Sequence, residues 1–391
     1  MRIRTRLHLL FDRSQLFTHR SSTLRVKYAL LLLLMLLLTA CGDAYAVPSD
    51  RGPIDSPTTQ NQVHTPSLAT TGTFQEFALP QNHSGLMHPA IDAQGRTWFG
   101  EMSRNYLGSF DPQSRTFWQS TPPNGKSGIM GIVAAPDDTI WFAEQYADYI
   151  GHFLPQSGRY HIYPLPTITT PDPTHPNQTL SMPSAPNDLA LDQHGTLWFT
   201  ELNANALGSL NTATGAIRQY PLTSAKNAPA LNPYGITVDS HGTIWFSEAS
   251  SSRLGKLDPT SGKISYFSPV GITSPLMELA SDTRGRIWAT TFATSLLLQF
   301  DPANSHFTTY SAPGANSGSG SLYGLLIASN GDVWVAITAE NSLARFDVQK
   351  QHFLSYIIPT PNSLPIGLVE DHHHAIWFTE SGSDKIGMLQ P

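Results

Sequence analysis

The chain has 391 residues, 40% of them hydrophobic and only 13% charged, with a formal net charge of −6 and a single Cys. That apolar share is ample for a large core, which excludes a disordered chain. One Cys excludes an internal disulfide framework and any Cys-based zinc or iron–sulfur site, and no basic patch calls for nucleic acid.

Residues 1–40 read as an address. They hold seven of the 23 Lys and Arg against one acid, Asp12, and then an unbroken apolar run from Tyr28 to Leu38. A helix of that run, at about 1.5 Å per residue, falls short of the roughly 30 Å core of a bilayer, so a permanent span is not expected. A positive flank, a short apolar core and small residues at its end are the parts of a secretory signal. The run closes in Leu38-Thr39-Ala40-Cys41, which resembles the lipobox of bacterial lipoproteins. The resemblance implies lipidation of Cys41, a new N-terminus there, and an extracytoplasmic protein anchored to a bacterial membrane. Without residues 1–40, 23 bases less seven leaves 16 and 29 acids less one leaves 28, a net −12. So acidic a chain is not expected to bind anionic surfaces. Residues 41–72, rich in Ser, Thr, Pro, Asp and Gln, are expected to be the lipidated Cys and a flexible tether.

From residue 73 the chain repeats itself. Trp98, Trp141, Trp198, Trp245, Trp288, Trp334 and Trp377 are spaced by 43, 57, 47, 43, 46 and 43 residues. The clearest copy is Tyr234-Gly-Ile-Thr-Val-Asp239-Ser-His-Gly242-Thr-Ile-Trp245-Phe-Ser-Glu248, followed by Arg253-Leu-Gly-Lys-Leu-Asp258 and Lys263-Ile-Ser-Tyr-Phe-Ser-Pro269. Short apolar or alternating runs separated by Asp/Gly, Asp-Pro and Ser-Gly turns predict four strands per unit and no helix. Units of this length and content are blades of a β-propeller. The prediction is therefore an all-β fold over 73–391: seven blades of four antiparallel strands. The last unit ends without a fourth strand, and residues 73–80 match fourth strands elsewhere. They are expected to join the last blade and close the ring. Each Trp and its following residue point to opposite faces of their blade and are expected to pack between blades.

Counting back from each turn places two sets of residues around one mouth of the central tunnel, with Tyr234 and Glu248 roughly opposite each other. Eleven before each Trp stand Met87, Met130, Asn187, Tyr234, Met277, Tyr323 and Ile366; three after stand Glu101, Glu144, Glu201, Glu248, Thr291, Ile337 and Glu380. The five glutamates are candidate cation ligands through a focused negative potential, or else blade architecture repeated for its own sake. The same mouth carries the longer connections, 165–186, 223–233 and 312–321, and loops over rigid blades are where ligands sit. Asn187, Tyr234 and Tyr323 are the candidate ligand contacts, with His175 the one loop His placed to act as a base. The run His372-His373-His374 falls in a turn on the opposite face and reads as surface.

The frame Gly-Ile-x-Val-Asp-x-x-Gly-x-Ile-Trp-Phe-x-Glu, followed by Leu/Ile-Gly-x-Leu, resembles that of the streptogramin lyases (virginiamycin B lyase). The resemblance covers residues 73–391 and implies a seven-bladed propeller that opens a cyclic antibiotic's ester by Mg²⁺-dependent elimination. It also implies a His eleven residues, and an acid thirteen residues, before one blade Trp. No blade has that His, and the minus-thirteen residues, Gly85, Gly128, Ala185, Asn232, Pro275, Ser321 and Leu364, include no acid. Elimination needs a base and a stabilising cation. Whether the chain is an enzyme is thus left open. The expected function is binding of a small molecule or protein partner at the mouth by a monomeric, lipid-anchored propeller. The alternatives are a divergent Mg²⁺-dependent C–O lyase, a metal-assisted lactone hydrolase, or a scaffold in an envelope complex.

Overall fold

A computed structural model describes residues 59–62, 67–68, 72–123, 128–171, 179–222, 231–314 and 321–391. Contacts divide the chain after Asp50, and all described residues belong to the unit Arg51–Pro391. The expected signal segment, Cys41 and most of the expected tether lie outside the described residues.

Seven antiparallel sheets follow one another, and among the described residues there is no helix. Their innermost strands are Leu86–Ile91, Ile129–Ala134, Pro186–Leu191, Pro233–Val238, Leu276–Ser281, Leu322–Ile327 and Pro365–Glu370. Neighbouring inner strands touch all the way around, and the seventh meets the first. Closure is by strand exchange: Thr73–Ala78 pairs with Lys385–Gln390 in register from Thr73↔Gln390 to Ala78↔Lys385. The ring therefore has no open seam.

Two pieces of the stretch expected to be tether are strands instead. Thr59–Gln62 runs parallel to the outer strand His306–Ser311 of the fifth blade, and Ser67–Leu68 parallel to His352–Ile357 of the sixth. Main-chain donors and acceptors on an outer strand bind any extended segment alongside, whatever its composition, which a composition-based reading overlooks. The long connection 165–186 likewise contains a two-stranded ribbon, Ile168–Pro171 with Thr179–Met182.

The core is a cycle of seven inter-blade contacts. Trp98 packs with Phe142, Trp141 with Phe199, Trp198 with Phe246, and Trp334 with Phe378. Trp245 meets Ala289, Trp288 meets Val335, and Trp377 returns to Phe99. All seven indoles are essentially buried, and burial of rings this size is the main source of stability. A buried indole N–H needs an acceptor. In five blades it is the Asp six residues earlier: Asp92, Asp192, Asp239, Asp282 and Asp371 accept from their Trp at 2.7–3.0 Å. The second oxygen of each caps turn amides, as when Asp239 Oδ1 accepts from His241 and Thr243. That double duty is why the turn reads Asp-x-x-Gly.

Every inner strand carries a bulge near its start. In the fourth blade Pro233 pairs with Glu248, but Ile236 pairs with Phe246, one residue out of step. The same slip recurs in all the others. It corrects the count that set Tyr234 opposite Glu248: Tyr234 lies within the bulge. A bulge frees main-chain groups that the ladder would otherwise bond. In four blades a hydroxyl two residues after the Trp takes them up. Asp188 N–H donates to Thr200 Oγ1 at 3.1 Å, and that hydroxyl donates to Tyr234 O of the next blade at 2.8 Å. Ser247, Thr290 and Thr379 make the same double bond, to Met277 O, Tyr323 O and Met87 O.

Candidate functional site

The bulges bear on what faces the tunnel, because each shifts the register at the start of its inner strand, at the positions eleven and ten before the Trp. The residues eleven before the Trp are buried, except the partly exposed Ile366. Those ten before divide sharply. Gly131, Gly235, Gly324 and Gly367 have no room for a side chain: a Cβ would lie 2.7, 2.4, 2.2 and 2.4 Å from atoms of the next blade. The other three are His88, Asp188 and Glu278, in the first, third and fifth blades.

These three form one cluster with Tyr234 and Tyr323. His88 Nε2 stands 3.5 Å from Glu278 Oε1, and its ring lies 6.2 Å from that of Tyr323. The hydroxyls of Tyr234 and Tyr323 bond to each other. Asp188 accepts from its own Leu189 N–H and from Ile236 N–H of the next blade, each at 2.9 Å. Asn187 links three blades: its side chain donates to Tyr234 O and accepts from Gln145, both at 3.1 Å. The His88 side chain is 15% exposed and that of Glu278 8%.

Burial sets the protonation here. It pushes Glu278 up to about 8, and Asp188 up to about 7 with the Glu278 charge adding to it, against His88 and the two backbone N–H groups. Burial also holds His88 below the usual imidazole range, against the pull of Asp188. Both tyrosines are raised by burial. Near neutral pH Glu278 mostly keeps its proton, Asp188 is about half ionised, and the His88 imidazole is largely neutral and able to accept a proton.

The sequence count stopped one position short of these ionisable groups. The column ten before the Trp holds Gly in four blades and His, Asp or Glu in the rest, and that interruption was the available signal. Of the candidate contacts, Asn187, Tyr234 and Tyr323 are brought together; His175 lies outside the described residues.

The five blade glutamates do not converge. Each is fully buried at the end of its second strand and served largely by its own blade. Glu101 pairs with Arg104 at 2.5 Å and accepts from Gln119. Glu201 accepts from Gln219 at 2.6 Å, Glu248 from Ser251 at 2.6 Å and Arg253 at 2.8 Å, and Glu380 from Ser383 at 2.9 Å. Glu144 sits beside its cross-strand partner Tyr149. Burial raises Glu144 to about 8 and Glu201 and Glu380 to about 7. Among the described residues no group of three or more His, Cys, Asp or Glu is arranged to hold a metal ion. The donors on these blades therefore do not fit the divalent cation that the family resemblance implies. On the opposite face His374 is 70% exposed and bonds Glu370 at 3.0 Å and Ser329 at 2.9 Å.

Comparisons with known proteins agree with this architecture. The model of the virginiamycin B lyase family matches residues 57–346. A search of curated proteins gave no match. Among solved structures, a streptogramin B lyase is 24% identical with a TM-score of 0.71, over 82% of this chain and 97% of that one. A catalytically inactive virginiamycin B lyase from Staphylococcus aureus with quinupristin is 23% identical, TM-score 0.71, over 82% and 100%. The extracellular domain described as that of a hybrid two component system from B. thetaiotaomicron is 19% identical, TM-score 0.62, over 81% of this chain and 40% of that one.

Proposed function

The chain belongs to the virginiamycin B lyase family, and from that premise we propose that it is a binding propeller rather than a lyase of the family's mechanism, holding a small ligand or partner at the mouth framed by the longer connections. One observation carries this reading. Where the family resemblance requires a His, this chain places Met87, Met130, Asn187, Tyr234, Met277, Tyr323 and Ile366. Two of these, Tyr234 and Tyr323, bond to each other beside the axis with their acidities suppressed. None of the seven can take a proton from carbon at neutral pH. The likeness to a sensor's extracellular domain supports a binding role outside the cytoplasm, and the lipobox-like Cys41 supports a membrane anchor. The test is incubation with a streptogramin B depsipeptide and Mg²⁺, with binding followed by calorimetry and ring opening by mass spectrometry. Binding without ring opening is expected; chelator-sensitive turnover would overturn the reading.

A second reading, a divergent C–O lyase or lactone hydrolase, is favoured by one observation: His88 and Glu278 lie together one residue along from the family's position. In that case His88 is the base. Mg²⁺ enters only through the family resemblance. Loss of any turnover in His88→Asn, with binding kept, would identify it.

A further inference from the structure

The acids of the tunnel cluster lack a fixed positive partner for their ionised form. Two carboxyls, Asp188 and Glu278, share the space with two phenols and a single imidazole, and among the described residues no Lys or Arg pairs with either carboxyl. The Glu278 side chain is more than nine-tenths buried, yet among the described residues Oε1 accepts no hydrogen bond; His88 Nε2 stands 3.5 Å from it. A buried carboxyl without a donor carries the full cost of its lost hydration, and native structures keep such groups where something else completes them. The imidazole is a poor completing charge, because the same burial that raises the acids disfavours its protonated form. Asp188 differs: its backbone partners orient it, one of them on the neighbouring blade, so its position is set before any ligand arrives.

We propose that the tunnel cluster is a receptor for a protonated amine, and that the ligand bound at the mouth presents an organic ammonium group to Glu278 and Asp188. This deepens the binding reading above and rests on it. An ammonium brings N–H donors to the orphaned Oε1 and to the Asp188 carboxyl, each of whose oxygens accepts a single backbone N–H, while the Tyr234 and Tyr323 hydroxyls supply acceptors for the remaining N–H. A metal ion would need at least three protein donors converging, which this cluster does not offer. A rounded organic cation needs only charge and a few acceptors. Chemical balance follows: as the ammonium enters, the carboxyls give up the protons they held, and these leave to solvent.

The groups facing Glu278 are His88 from the first blade, Asp188 from the third, Tyr234 from the fourth and Tyr323 from the sixth. The test titrates the full chain with n-butylammonium, using 1-butanol and butyrate as neutral and anionic counterparts, in two buffers of different ionisation heat. Saturable binding of the amine alone is expected, with protons released near neutral pH and less release above the acids' raised range. Glu278→Gln and Asp188→Asn should each weaken it about tenfold or more, roughly 1.4 kcal/mol. Proton release in the wild type is read without any variant, so misfolding of one cannot mask the result. Binding indifferent to charge, or unaffected by both substitutions, would overturn the assignment. So would failure of the amine to bind while a depsipeptide is still held, which leaves the binding reading standing. Depsipeptide turnover would instead remove the reading beneath it.

Discussion

His88 of the first blade and Glu278 of the fifth meet across the tunnel, with Nε2 3.5 Å from Oε1. No neighbouring strand separates them, only the axis of the ring. A contact between non-adjacent blades makes the charge state of the tunnel a property of the whole closed ring. Its consequences reach stability as well as binding.

Stability should depend on pH in two limbs. Asp188, Glu201 and Glu380 are raised to about 7, and Glu144 and Glu278 to about 8. Each keeps its proton in the folded state after losing it in the unfolded chain. Their contribution is complete below the ordinary carboxylate range and is lost as pH rises through about 7 to 8. His88 is lowered, and His152 is lowered to about 4. Both bind a proton more readily unfolded, which offsets part of that loss below about 6.5 and lowers stability at more acidic pH. With five such acids against two imidazoles, urea midpoints should be highest near the ordinary carboxylate range of about 4–5 and fall as pH rises to about 8, and Glu144→Gln should flatten that fall. A midpoint rising steadily to pH 9 would contradict the burial of these acids.

The aromatic core has a size rule within each blade. Phe99, Phe142, Phe199, Phe246 and Phe378 each lie over a Gly of the third strand, where a Cβ would come within 2.0–2.3 Å of the ring. In the fifth and sixth blades the cross-strand pairs are Ala289↔Leu298 and Val335↔Ala344. The space is constant and its filling is shared differently. Gly208→Ala should cost about 1–3 kcal/mol by overpacking. Phe199→Val introduced with it should recover part of that loss, a coupling that a double-mutant cycle of denaturation midpoints would measure.

Thr200 tests the hydroxyl bridge at the bulge. Valine keeps its shape but leaves Asp188 N–H without this acceptor, while Tyr234 O keeps only the Asn187 amide. Thr200→Val is expected to destabilise by about 2 kcal/mol, and to raise hydrogen exchange at the Asp188 amide. A change of the same size from Thr200→Ser, which keeps the hydroxyl, would argue for packing instead.

The closing strand should carry a large share of cooperativity. Phe77 lies 4.4 Å from Phe110 and 6.0 Å from Trp377, ring centre to ring centre, and Glu76 bonds Thr360 and Lys385. Phe77→Ala is expected to cost about 2 kcal/mol, below the range for a fully buried Phe because the ring is only half-buried. Deleting 73–78 should replace one sharp thermal transition by a broad one. An unchanged transition would mean that the seventh blade does not need its fourth strand.

Blade count, strand order and ring closure were all legible in the residue pattern alone. Each blade solves the same local packing problem, so its turn Asp, its Trp and the residue after it recur at fixed spacing and can be read without coordinates. It also showed that the family's His was missing. What it could not decide was the content of the tunnel. A bulge of one residue changes which side chains face the axis, and so moved the ionisable set from the inspected positions to His88, Asp188 and Glu278. Only closure of the ring then brought together blades far apart in the chain. The parallel strands from Thr59–Gln62 and Ser67–Leu68 were hidden for a related reason: main-chain hydrogen bonding at a sheet edge leaves no mark on residue type. Local repetition is written in composition and spacing, while contacts across an axis or along an edge exist only once the chain is folded.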